Sequence, residues 1–128
     1  MTIRLDLSVR NAIVDAITTQ LGTGDVKIYT GTQPASADDA ASGTLLCTIP
    51  ISSGMTTASA GSSSLASAPE SGTAVATGTA GYARLISGSY NIDGSVATSG
   101  GDFTINTLSI VSGGSVSLTA FSINQAAS

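Results

Sequence analysis

The sequence has no histidine, no tryptophan and a single cysteine, and its 128 residues hold only four basic side chains against eight acidic ones. Without histidine there is no Ser–His or Cys–His pair and no imidazole metal ligand. The eight carboxylates are dispersed. Asp38 and Asp39 are adjacent, but calcium loops space their oxygen ligands at alternate positions and add further carboxylates. A distant pair such as Asp93 with Asp102 is the one arrangement left for glycosidase-like work. The expectation is a protein that is not an enzyme and carries no cofactor or metal. Four scattered cations in a chain of net charge −4 also argue against a phosphate backbone as partner, since releasing its counterions takes several Lys or Arg. No stretch approaches the roughly 20 apolar residues of a membrane-spanning helix. Met1–Leu7 carries Arg4 and Asp6 among its apolar positions, unlike a signal peptide. Neither nucleic acid nor membrane is expected as a partner.

Ala, Ser, Thr and Gly supply 71 of the residues, whereas Leu, Ile, Val and Phe together number 29. A chain of this length is read as one domain, 1–128, with a thin core built from few large side chains. Cys47 cannot form an intrachain disulfide. In Leu45-Leu-Cys-Thr-Ile49 it reads as a small buried hydrophobe.

The clearest element is the ribbon from Phe103 to Ile123, read as one long hairpin turning at Ser112-Gly113-Gly114. Opposed residues then sum to 226, so Ile105 faces Phe121 and Phe103 faces Ile123. The apolar phase slips by one residue between Ile105 and Leu108, and again between Leu118 and Phe121. A one-residue slip moves buried side chains to the other face. The expectation is therefore that Ile105 and Phe121 face one layer, and Leu108 and Leu118 another. That leads to the fold class: mainly β, an antiparallel β-sandwich, jelly-roll-like or related, with one short N-terminal amphipathic helix.

Residues 1–7 form an N-terminal arm or strand, with Ile3, Leu5 and Leu7 alternating with charged residues. A helix over 9–21 follows, with Ser8 as N-cap, Val9, Ile13, Ile17 and Leu21 on one face, and Gly22 at the C′ position. Ala12 and Ala16 would let it approach the β core closely. The β core spans 26–124. Strands are expected at Val26–Thr30 and at Leu45–Ile51, the latter at a sheet edge because Pro50 lacks an amide hydrogen. Residues 52–79 are weakly patterned: either short strands or an excursion that orders on a partner. Gly81–Ile86 and Tyr90–Val96 form a hairpin about Ser87-Gly88-Ser89, with Arg84 facing Ile92 and Tyr82 covering Gly94. Together with the ribbon it makes a four-strand meander. Arg84 is the only cation in the second half of the chain, and it pairs with Asp93 or Asp102, lies over Ile92, or serves an interface. The candidate interface residues are Ile3, Leu5, Leu7, Tyr29 and Arg84.

The order of segments resembles a family of small proteins encoded among the head and structural genes of tailed bacteriophages and prophages. The residues that carry the resemblance are Arg10-Asn-Ala-Ile-Val-Asp-Ala-Ile17, Val26-Lys-Ile-Tyr-Thr-Gly-Thr-Gln-Pro-Ala35, Ser42-Gly-Thr-Leu-Leu46, Ala76-Thr-Gly-Thr-Ala80, Asp93-Gly-Ser-Val-Ala-Thr-Ser-Gly100 and the final ribbon. Residues 53–73, poor in large side chains, depart from it. The resemblance implies a virion protein, a capsid decoration or cement protein made in the host bacterial cytoplasm. It further implies a capsid-surface location, the major capsid protein as partner, and many copies or self-association. A tail or head–tail connector component is the structural alternative. A carbohydrate- or receptor-binding β-domain is another, weakened by the three tyrosines and absent tryptophan.

Overall fold

The computed structural model describes residues 3–21, 23–52 and 54–126. It is mainly β, 43% strand, with one N-terminal helix and a curled, largely antiparallel sheet of sandwich-like form. Helix α1 spans Leu7–Leu21 and precedes ten strands: β1 Asp25–Tyr29, β2 Leu45–Pro50, β3 Ser62–Ser64, β4 Glu70–Thr73, β5 Gly78–Thr79, β6 Tyr82–Ser87, β7 Tyr90–Ala97, β8 Phe103–Ile105, β9 Ser109–Ile110 and β10 Ser115–Asn124. The main sheet runs β2-β1-β6-β7-β8-β10-β3, with β4 also on β10, while β5 and β9 form a separate pair.

The sheet curls until its ends meet. Val75 N donates to Leu46 O at 2.8 Å, and Cys47 bridges to Ala74. A Cβ at Gly72 would lie 2.2 Å from Thr48 O, so only glycine lets β4 come this close to β2. One apolar core fills the interior, including Val26, Ile28, Leu46, Ile49, Leu85, Phe103, Ile105, Leu118 and Phe121. β2 is the terminal strand of the main order, and its Pro50 is exposed.

The ribbon departs from its expected form. Its turn lies where expected, with Gly114 N bonded to Val111 O and Gly113 at φ +85°. Below the turn the two arms part. Ser109–Ile110 leaves to pair with Gly78–Thr79, and β10 takes β4 as a partner instead. The arms rejoin with Ile105 opposite Leu118 and Phe103 opposite Phe121, two to three residues off the expected register. The second phase slip is a β-bulge between Leu118 and Ala120. A bulge adds one residue to one strand, so the residues on either side of it stay on the same face. Ile105, Leu118 and Phe121 accordingly share the one core, with half-buried Leu108 packed against it. The expectation that they face two layers is corrected. The Phe103 and Phe121 rings stack at 4.4 Å between centroids.

Other registers shift as well. The β6–β7 hairpin closes on a two-residue loop, Gly88-Ser89, with Gly88 at φ +60°. That moves every pair by one: Arg84 faces Asp93, and Tyr82 faces Ser95. Gly94 is covered by Phe103 and Asp102 rather than by Tyr82. β7 and β8 are parallel over Val96–Ala97, so the four strands are not a simple meander. The Asp102 carboxylate makes this fold-back, accepting from both the amide and the hydroxyl of Ser95.

Helix α1 begins before the expected start because Asp6, not Ser8, caps it: Asp6 Oδ1 accepts from Val9 N at 2.9 Å. Its buried positions are Val14 and Leu21, while Val9, Ala12 and Ala16 are exposed. The face is turned because polar side chains bind the loop beside it. Asp15 Oδ1 accepts from Ala58 N and Asn11 Oδ1 from Gly61 N, each at 2.8 Å. Gly22, expected at C′, lies outside the described residues. The arm residues Ile3–Asp6 form no strand. In the weakly patterned stretch, the short-strand alternative holds as β3, β4 and β5 with bridges at Met55–Leu65 and Ser59–Ser62.

Ser59 and Ser62 exchange main-chain bonds around Ala60-Gly61, at φ +54° and +75°. This is a turn that asks for Asn or Gly at its first central position. Replacing Ala60→Asn should raise stability by about 0.5–1 kcal/mol. Phe121→Ala should lower it by about 3–5 kcal/mol through the cavity it leaves. Urea unfolding midpoints of the two variants against the parent check both.

Candidate interaction surface

The cross-strand registers decide which side chains share the convex outer face of the sheet. Val26–Leu85 and Ile28–Ala83 point into the core, so the intervening pairs Lys27–Arg84 and Tyr29–Tyr82 point outward, joined by Asp93 across from Arg84. Outward does not mean exposed here. Tyr82 is 0% and Arg84 4% accessible. Arg84 grips Asp93 with two bonds, Nε to Oδ1 at 2.5 Å and an Nη to Oδ2 at 2.8 Å. The side-chain hydrogen bond to Asp93 raises the Arg84 pKa despite burial, so the guanidinium stays charged. Tyr29 stacks on Tyr82 at 5.2 Å. Burial, then the adjacent Tyr82, push its phenol above the ordinary value against the pull of Arg84.

What covers this face is the segment 31–44. Tyr82 hydroxyl accepts from Ser42 N at 2.9 Å and donates to Ser42 O at 2.8 Å. Asn91 Nδ2 reaches Ala37 O at 3.4 Å. The two attachments, at Tyr82 and at Asn91, flank the Arg84–Asp93 pair in the β6–β7 register. Asp38 and Asp39 sit exposed on this segment, in a turn where Asp39 N bonds Ser36 O.

The five expected interface residues therefore separate. Ile3, at 84% accessible, and Leu7, at 46%, are free on the surface, and Leu5 is half-buried beside them. Tyr29 is half-buried and Arg84 buried on the outer face of the sheet, where Arg84 takes the Asp93 partner among its expected alternatives. Three exposed aliphatic residues were missed, besides the exposed ring of Tyr90. Val9 extends the arm cluster on the first turn of α1, and Val75 and Val111 stand 65% and 63% exposed near the other end of the molecule. The two ends are separated by β10. Its first residue, Ser115, pairs beside Ala74, whereas Gln125 bonds Gly61, which Asn11 of α1 holds. Ten extended residues span about 30 Å. Val75 carried a readable signal, a lone large aliphatic among Ala, Thr and Gly. Val111 did not, because it lies in phase with nothing once the ribbon parts.

A cleft of about 330 Å³ opens where β10 passes from β4 to β3. It is lined by Leu65, Phe121 and small residues, none of them charged among the described residues. Among the described residues no group of three or more His, Cys, Asp or Glu gathers, and no helix is long and apolar enough to cross a membrane.

Removing one member of the buried ion pair strands the other. Arg84→Met and Asp93→Leu should each cost about 3–5 kcal/mol, while Arg84→Met/Asp93→Leu together should cost clearly less than the sum. A double-mutant cycle by chemical denaturation measures this. Burial also raises the thiol pKa of Cys47. The folded state thus favours the neutral thiol, a contribution present below the unfolded pKa and lost as pH rises through the folded one. Cys47→Ala should flatten the alkaline decline in stability, and aromatic disulfide reagents should label Cys47 only as fast as the protein unfolds. Compared with protein-family models, curated proteins and solved structures, the chain matches none.

Proposed function

We propose that this protein is a non-enzymatic structural component of a bacteriophage virion, a decoration protein that sits on the outer capsid surface against the major capsid protein. The observation that supports the reading most directly is the distribution of its surface. Aliphatic side chains stand free at two well-separated ends, Ile3, Leu7 and Val9 at one and Val75 and Val111 at the other. Between them the exterior is rich in Ser, Thr, Ala and Gly, with Asp38, Asp39, Asp102 and Tyr90 among the exceptions, and the charge of Arg84 is spent internally on Asp93. Such a surface suits shape-matched packing and main-chain contacts with another protein. The resemblance of its segments to phage head and structural proteins supplies the setting.

A sugar-binding reading is weaker. Tyr90, 53% accessible, is the one exposed ring among the described residues, and stacking sites for sugars use more. Purified heads, prepared with and without the protein, test the proposal. It should co-purify with heads at copy numbers on the order of hundreds, whereas roughly six or twelve copies would make it a connector or tail component. Leu7→Ser/Val9→Ser should weaken head binding by about tenfold or more while leaving the unfolding midpoint nearly unchanged.

A further inference from the structure

We propose that residues 31–43 form a hinged flap that opens from the outer face of the sheet while the β core stays folded. The base of the segment is fixed: Thr30 N donates to Thr44 O, and Thr44 N to Thr30 Oγ1. Immediately inside this base are Gly31 at φ +86° and Gly43 at φ +78°, a left-handed glycine on each limb. Glycine crosses between backbone regions without a Cβ penalty, which makes the pair natural hinge points.

The attachments beyond the hinges are few. At the neck, Ser42 holds the Tyr82 hydroxyl and its own Oγ donates to Thr32 O. Over the remaining span, from Gln33 to Ala41, one bond of 3.4 Å from Asn91 to Ala37 ties the flap to the sheet. The flap contains no large aliphatic or aromatic side chain, and only Pro34 and Ala37 within it are half-buried. Lifting it therefore forfeits little apolar burial. It also returns water to Arg84 and Asp93, which recovers part of the cost of having desolvated them. Local openings of this kind arise where buried apolar contacts are few. Opening would present two tyrosine rings and a guanidinium–carboxylate pair, residue types that anchor protein interfaces. The inference does not depend on the virion reading.

Native-state hydrogen exchange tests it on the Ser42 amide, whose hydrogen bond to Tyr82 breaks only when the flap leaves. That amide should exchange at least about tenfold faster than those of Ile28 and Leu85, with a denaturant slope near zero. Asn91→Ala, at the distal attachment, should speed Ser42 exchange severalfold and leave Ile28 and Leu85 unchanged. Elastase should nick the chain between Ala35 and Ala41 while the sheet stays intact, and Asn91→Ala should speed the nick by the same factor as Ser42 exchange. If the Ser42 amide exchanges with the rate and slope of Leu85, and Asn91→Ala shifts both equally, the flap is a rigid part of the fold and the proposal fails.

Discussion

The structure depends on bringing β4 against β2. A chain with 29 large aliphatic and phenyl side chains cannot cover both faces of a broad sheet with apolar residues. It can enclose one interior by curling, provided the free edges are brought together. Here they are joined main chain to main chain, by Val75 to Leu46 and by the bridge of Cys47 to Ala74. A side chain at Gly72 would hold them apart. The abundance of small residues, read from composition as weakness, is what allows this approach. Where the sheet curls, β10 must change partners from β4 to β3, and the bulge at Leu118–Ala120 with its adjoining cleft is the local consequence. A bulge sharpens twist at the point where the strand bends.

Curling leaves the opposite face of β1, β6 and β7 to be dealt with. In most one-layer arrangements a solvent-facing row is polar and wet. Here Tyr82 and Arg84 are as dry as Ala83 and Leu85, so β6 is buried on both sides. The interior side is apolar and held by packing. The outer side is held by hydrogen bonds: Arg84 to Asp93, Tyr82 to Ser42, Asn91 to Ala37. These two kinds of burial respond differently to change. Losing a methyl group inside leaves a void, whereas losing a partner outside leaves a charge that water can reach if the cover yields.

Much of this was legible in the sequence, and the exceptions share a cause. Alternation over Val26–Ile28 and over Leu45–Ile51 identified β1 and β2, and Cys47 lies where the apolar run put it, although the irregularity opposite Ile28–Tyr29 puts Leu46 in the core and leaves Leu45 half-buried. The β class and the single helix follow from the same patterns. The registers did not follow, because a hairpin's register is set by its loop, and glycine–serine turns of two or three residues look alike in a sequence. One residue of ambiguity moved Arg84 from Ile92 to Asp93. The doubled phase slip in the ribbon was a true signal whose meaning was ambiguous. A slip can mark a change of layer or a bulge, and only the partner strands decide which. The helix face was read in part: Ile17 and Leu21 pack on the core as expected, but Val14 rather than Val9 is buried, and Asn11 and Asp15 each satisfy a loop amide that periodicity cannot foresee. Of the interface residues, the exposed arm was readable from Ile3 and Leu7, while the burial of Arg84 follows from its pairing with Asp93, which only the hairpin register reveals.

The size of the exposed apolar clusters limits how such a protein can be retained on a partner. Two or three aliphatic side chains at each end fall well short of the roughly 800 Å² per partner that a stable single interface buries. One contact of that kind releases as readily as it forms. Two contacts at opposite ends of one body are different, because once the first is made the second is intramolecular. The span comes from β10, a ten-residue strand linking the Ala74 end to the Asn11 end. On a surface that repeats its own contact points, bridging by a rigid span turns two weak patches into firm attachment. On a lone soluble partner it does not, and the same molecule stays free in solution. The closed sheet thus matters beyond stability, since under the proposed decoration role it would fix the separation of the two ends.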